Sequence, residues 1–271
     1  AAFDCLSLYD VSLSTHPARE DVDAVERDLR ARIGPNPAQT LEALPLAPEP
    51  DLHLAVAVLV GILPSAYYVD RELHRLVVCT LVDLALRHGV CPLSPMGFAA
   101  YALELAIRRD FAAIEPWVFV ARRLVQRHGF ADARAMVLNL SANCTMWTQD
   151  ASTAITFATE GMQAGLENGD MVHAALCAFH PPLFLLTAGV SLDRVAAEAE
   201  ANTTFIQSTG YEALAICTES VSRVAQALQG RPGAELAGAA FEAFRARSRA
   251  IPIPTLQTWV AINELFARVV M

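Results

Sequence analysis

Apolar residues recur along this chain at helical spacing. After Pro17, Val22, Val25, Leu29 and Ile33 follow the i, i+3, i+7 spacing of one buried stripe, while Arg19, Glu20, Asp23, Arg27, Asp28 and Arg30 fill the opposite face, which predicts an amphipathic helix. Gly34-Pro35-Asn36-Pro37 ends that helix, and the proline-rich stretch to Pro50 reads as an extended connector with one short turn of helix near Gln39–Leu44. Residues 1–16 show little periodicity. Two strongly apolar helices are predicted next, Asp51 to about Leu63 and Asp70 to about His88, separated by Pro64-Ser65-Ala66-Tyr67-Tyr68. Asp51 and Asp70 suit N-caps, and Gly89 is placed to end the second helix in the left-handed conformation. That helix is apolar almost all round and must be covered on two sides.

From Ser94 the pattern becomes a repeated helix pair closed by a turn. The turns are Arg109-Asp110-Phe111, His128-Gly129-Phe130, Asn168-Gly169-Asp170, Ala188-Gly189-Val190 and Thr209-Gly210-Tyr211. The predicted helices run from Ser94 to Arg109 and from Asp110 to Gly129, with Ser94 and Asp110 as their caps and Ile114, Trp117, Ala121 and Leu124 inward on the second. They continue from Ala131 to about Trp147, then from Asp150 to Glu167 with Ile155, Ala158, Met162 and Leu166 buried. Asp170–Thr187, with Asp170 its cap and Gly169 before it expected at positive φ, pairs with Ser191–Ser208, Tyr211–Gly230 is followed by Ala234–Arg249, and a last apolar helical face covers Thr255–Met271. Units starting roughly 40 residues apart are the signature of helical-hairpin arrays. Such a hairpin cannot bury its apolar face alone, so the expected fold is all-α, a right-handed superhelix of stacked helical hairpins. Residues 1–50 form its N-terminal helix and connector, and residues 51–271 the array, which stops with an apolar face open, as in a segment of a longer polypeptide. The pair Pro181-Pro182, midway along the Asp170–Thr187 helix, is expected to kink or break it and to leave carbonyls near Leu176, Cys177 and Ala178 in need of partners.

Composition narrows the function. With 54% hydrophobic residues and a mean hydropathy of +0.34, a membrane reading has to be tested. The longest apolar run, Leu54–Tyr68, carries Gly61 and Pro64 and falls short of the roughly 20 residues a spanning helix needs, so no membrane is expected. The net charge of −9 argues against nucleic acid, and the densest basic group, Arg108, Arg109, Arg122, Arg123 and Arg127, is interleaved with acids like a solvated helix face. There is no lysine, so neither a Walker phosphate loop nor a kinase lysine lies in this chain. Six cysteines lie far apart with no Cys-x-x-Cys pair, which suits a reducing, cytoplasmic setting. His173 and His180 are seven apart rather than three or four, and Asp70 with Glu72 or Glu198 with Glu200 face different ways, so neither a metal nor a paired-carboxylate site is expected. No catalytic residue and no cofactor is assigned.

If the first helices of successive hairpins line an inner wall, the groove and effector-binding candidates are Tyr101, Glu104 and Arg108, then Asn139, Asn143 and Trp147, then Cys177 and His180. Ordinary packing between hairpins is the competing reading for each of them.

The units resemble degenerate tetratricopeptide repeats, with Ala99, Ala102 and Asp110-Phe111-Ala112-Ala113 at matching places. A longer resemblance covers Asp51–Gly230. It rests on Leu63-Pro64-Ser65-Ala66-Tyr67-Tyr68, Arg109-Asp110-Phe111, Glu160-Gly161-Met162-Gln163-Ala164-Gly165-Leu166-Glu167-Asn168-Gly169-Asp170 and Ala188-Gly189-Val190-Ser191-Leu192-Asp193. These stretches look like the helical region of large bacterial multidomain signalling proteins that join a serine/threonine kinase, a predicted ATPase, a GAF domain and a histidine kinase. Where those proteins carry a Tyr-Asn pair, this chain has Phe179-His180-Pro181-Pro182. The resemblance implies a non-catalytic scaffold or sensor segment whose partners are other domains of the same polypeptide and a peptide segment or small effector in its groove. An all-helical enzyme with its site in that groove and a purely structural spacer are the alternatives.

Overall fold

A computed structural model describes residues 2–48, 50–232 and 236–270, with the side chains of Pro50 and Asp51 outside the description. The cap expected at Asp51, the helix start expected at Ala234 and the end expected at Met271 therefore lie outside the described residues. The described chain is all-helical, with one isolated parallel bridge between Leu46 and Val90. It divides into two compact units, Ala1–Thr148 and Gln149–Met271.

The first unit contains α1 (Ala2–Ser7), α2 (Arg19–Ile33), α3 (Pro37–Glu42), α4 (Pro50–Val69), α5 (Arg71–His88), α6 (Ser94–Ile107), α7 (Ile114–His128) and α8 (Ala131–Thr145), with a single 3₁₀ turn at Phe111–Ala113. Helix α1 lies in the stretch that shows little periodicity; Leu6, fully buried, is its anchor. Helix α2 forms where predicted, but its buried stripe is Val22, Glu26, Leu29 and Ile33, and Val25 is 39% exposed. Asn36 caps α3 by accepting the Gln39 N–H. The connector then bonds back across the end of α5, Val90 N–H to the Pro45 carbonyl and Ala47 N–H to the Val90 carbonyl. That pairing changes the expectation for Gly89: its φ is +96° but its ψ is 178°, an extended turn rather than a left-handed cap. A Cβ there would stand 2.5 Å from the Pro45 carbonyl oxygen, so glycine is required twice over.

Helix α4 runs unbroken through Gly61 and Pro64. Two helices stand here as expected, α4 and α5, but the end expected near Leu63 and the linker at Pro64–Tyr68 are corrected, and the length argument against a membrane span is overtaken, because α4 is long and apolar enough to cross a membrane by length and composition alone. A core helix meets the same criteria, and Ala55, Val56, Leu59, Leu63 and Ala66 are buried in this unit. Asp70 caps α5, accepting the N–H groups of Glu72 and Leu73 at 3.0 Å. Ser94 does not cap α6; its hydroxyl accepts the Cys91 N–H instead. Asp110 makes no cap bond, and the reversal before α7 is carried by Arg109 at φ +61°. The predicted α7 stripe, Ile114, Trp117, Ala121 and Leu124, is buried throughout. Helix α6 packs on α5, α7 and α8, so it lies at the centre of this unit.

The second unit contains α9 (Ala151–Asn168), α10 (Met171–Thr187), α11 (Leu192–Ser208), α12 (Glu212–Leu228), α13 (Gly238–Arg249) and α14 (Pro254–Val270). Gly169 ends α9 in the left-handed region, φ +73° and ψ 14°, and Asp170 caps α10 by accepting the His173 N–H, both as expected. The buried face of α9 differs from the predicted one. It is Ala154, Phe157, Ala158, Gly161, Ala164 and Gly165, while Leu166 is 40% exposed. Small residues win because the neighbouring helix approaches closely: a Cβ on Gly165 would stand 2.9 Å from the Ala174 Cβ.

Pro181 and Pro182 do not break α10, which is helical from Met171 to Thr187. Pro182 has no N–H for the carbonyl of Ala178, four residues back. The Asn202 side chain of α11 donates to that carbonyl at 2.9 Å. The expected orphan thus exists and finds its partner across the helix pair, which leaves the helix continuous.

Candidate functional site

The polar residues predicted on α6 converge on a buried ionic network in the first unit. Tyr101, Glu104 and Arg108 fall on one face of the helix at i, i+3 and i+7. The centre is Glu26 of α2, 5% exposed. Arg108 donates to both its carboxylate oxygens at 2.6 and 2.7 Å, a two-pronged pairing. Arg75 of α5 donates to Glu26 at 2.9 Å and also holds Asp23 and Glu72 at 2.6 Å. The Tyr101 hydroxyl donates to Glu26 at 2.9 Å and accepts from Arg30 Nε at 2.9 Å. A second carboxylate, Glu104, meets His74 Nδ1 at 2.6 Å and Arg71 at 2.9 Å.

The electrostatics follow from this geometry. Burial by itself would raise the Glu26 carboxyl, but the hydrogen bonds from Arg108 and Arg75 outweigh it and hold the group down at about 2. Burial, reinforced by the charge of Glu26, pushes the Tyr101 phenol above its ordinary value. Arg75 is pushed up by its acidic partners against its own burial. Charged groups enclosed this way tie α2, α5 and α6 together, and each exists only because the others neutralise it.

Beside the network lies a pocket of about 400 Å³, within the range of small-ligand sites. Ile33, Leu105, Pro35, Pro37 and Pro116 supply apolar walls, and Ala112, Ala113 and Gly34 leave room. Tyr101 and Trp117, stacked with ring centres 4.0 Å apart, form one side, and Arg30 is the charged member of the lining. Of the residues singled out in the sequence, only Tyr101 reaches this pocket.

The other candidates are placed differently. Asn139 is buried on α8, and its backbone carbonyl accepts from the Asn143 side chain at 3.0 Å. Trp147 follows the end of α8, is 66% exposed and stacks on Phe111 with ring centres 6.1 Å apart. Cys177 and His180 are buried in α10 of the second unit. Burial pushes the Cys177 thiol up to about 12 and the His180 imidazole down to about 4, so at neutral pH the first is a thiol and the second uncharged. Cys79 and Cys217 are likewise pushed up to about 12 by burial, which makes them core hydrophobes rather than nucleophiles. Among the described residues no group of three or more His, Cys, Asp or Glu is arranged to hold a metal ion.

Glu26, Arg75, His74, Arg30 and Trp117 were not among the sequence candidates. A signal for the first two was present: Glu26 stands in register with Val22, Leu29 and Ile33, and Arg75 interrupts a helix that is otherwise apolar nearly all round. A charge in an apolar stripe needs a buried counter-charge. Compared with protein families, curated proteins and solved structures, the chain matches none of them.

Proposed function

We propose that this chain is a non-catalytic helical-repeat segment that binds a small effector in the pocket of its first unit and serves a larger cytoplasmic signalling polypeptide with ATPase and kinase modules. Stacked hairpins of the tetratricopeptide type, wound as a right-handed superhelix, are the architecture that goes with this reading. Its support is the packing of alternate as well as successive helices, α6 with α8, α10 with α12 and α12 with α14. The signalling context rests on the resemblance drawn from the sequence.

One observation carries the binding role: a ligand-sized, mostly apolar pocket whose titratable lining groups, Arg30 and Tyr101, are already bonded to the Glu26 network. Such a lining can hold and orient a molecule, but it offers no acid, base or nucleophile free to react with one. The test is amide NMR with mixtures of small metabolites. Shifts are expected at Gly34, Leu105, Ala112 and Ala113, and should vanish in Ala113→Leu, which fills the pocket. Shifts confined to other regions, or none with any mixture, would discard the effector-binding role.

A further inference from the structure

The chemistry of the pocket selects a class of ligand. We infer that it takes a compact organic acid, an apolar body bearing one carboxylate, with Arg30 as counter-ion; this rests on the effector-binding role proposed above.

The polar inventory of the lining side chains is short. The Tyr101 hydroxyl is used in both directions, donating to Glu26 and accepting from Arg30. Arg30 bonds through Nε and Nη2, and its Nη1 takes no partner among the described residues. Trp117 is 3% exposed, and its indole N–H, a donor only, also has no partner among the described residues, yet is not sealed from solvent. Every side-chain group left to a ligand is therefore a donor. Three lining positions, Pro35, Pro37 and Pro116, have no backbone N–H to add.

Donors of this kind match an acceptor head, and a carboxylate, an anion with two acceptor oxygens in one plane, bonds a guanidinium more strongly than a neutral oxygen does. Charge points the same way. At this end of the network Arg30 and Arg108 share the single carboxylate of Glu26, while Arg75 has Asp23 and Glu72 beside it. A planar guanidinium edge matches a carboxylate in shape as well as sign. The remaining walls are aliphatic, prolyl and aromatic, and a volume of about 400 Å³ suits a body of one or two rings.

The experiment is a calorimetric comparison of 1-naphthylacetate with its neutral isostere 1-naphthylacetamide on the whole chain. The acid should bind about tenfold tighter, the scale of one charge-assisted hydrogen bond. Arg30→Gln should bring the two affinities together by weakening the acid more than the amide, and Ala113→Leu, checked for its fold by circular dichroism, should exclude both. The unaltered chain gives a second readout that survives a misfolded variant: added salt should weaken the acid and not the amide. Equal affinity for acid and amide, with no salt effect, would overturn the carboxylate assignment and leave the pocket as an effector site. Failure of both probes and of the metabolite mixtures would overturn the site itself.

Discussion

The two units solve the same problem with opposite chemistry. Both are helical and must accommodate polar side chains that their packing encloses. The first unit encloses charges and cancels them: Glu26, Arg75 and Glu104 are all buried, and each has a partner of complementary chemistry at 2.9 Å or less. The second unit encloses neutral groups and spends them on local needs. Asn202 satisfies the carbonyl freed by Pro182, Asn263 donates to the Ser220 hydroxyl at 2.8 Å, and Thr218 and Ser220 return their hydroxyls to carbonyls of their own helix. A buried ion pair orients helices firmly but fails badly when one member is lost, whereas a neutral hydrogen bond costs less to break. The units should therefore differ in what destabilises them and at which pH.

The sharpest break in that comparison is Glu26→Ala. It takes from Arg108 the carboxylate it holds with two hydrogen bonds and from Arg75 one of three carboxylate partners, and should cost the first unit about 3–5 kcal/mol. Hydrogen exchange should show faster exchange in α2, α5 and α6 with α10–α12 unchanged. If α10–α12 lose as much protection, the two units do not differ in the way claimed.

Acid should separate the units by pH window. His180 has its imidazole lowered to about 4 by burial, below its ordinary value of 6.5. As pH falls below 6.5 the unfolded chain binds a proton that the folded one does not, so stability drains between about 6.5 and 4 and levels off beneath. The full loss is about 3 kcal/mol. Glu26 works in a lower window. Its folded value is depressed to about 2 from 4.5, so its contribution is intact above 4.5 and is lost as pH falls towards 2. Denaturant titrations at pH 7 and pH 5 read by exchange in α10 should show the His180 loss, and His180→Leu should flatten it.

A smaller effect is expected from Asn202→Ala, about 1–3 kcal/mol, because it leaves the Ala178 carbonyl buried without its donor. It should also let α10 bend at the two prolines, visible as raised exchange on either side of Pro181. Full retention of protection would mean that the helix tolerates both prolines unaided. Smallest is Gly169→Val. Nothing lies within 4 Å of an added Cβ, so the cost is the backbone strain of a β-branched residue at φ +73°, about 1 kcal/mol. A chemical denaturation midpoint unchanged from the parent would contradict the strain.

The sequence alone determined what depends on neighbours in the chain. Helix positions followed from periodicity, the turn at Gly169 and the caps at Asp70 and Asp170 from residue type, and the need of a donor near Ala178 from the chemistry of proline. It also placed Tyr101, Glu104 and Arg108 on one face of a helix. Tertiary structure decided everything that required knowing what lies opposite. Helix α2 buries Glu26 in preference to Val25 because two arginines from α5 and α6 meet it there, and α9 turns its glycines and alanines inward because α10 comes too close for larger groups. Helix α4 passes through Pro64 and α10 through two prolines, although local rules end a helix at such residues. The pocket belongs to the same class. Arg30, Pro35, Tyr101, Ala112 and Trp117 are spread over more than eighty residues, and no spacing announces them, because a cavity is a property of surfaces brought together and not of any one of them.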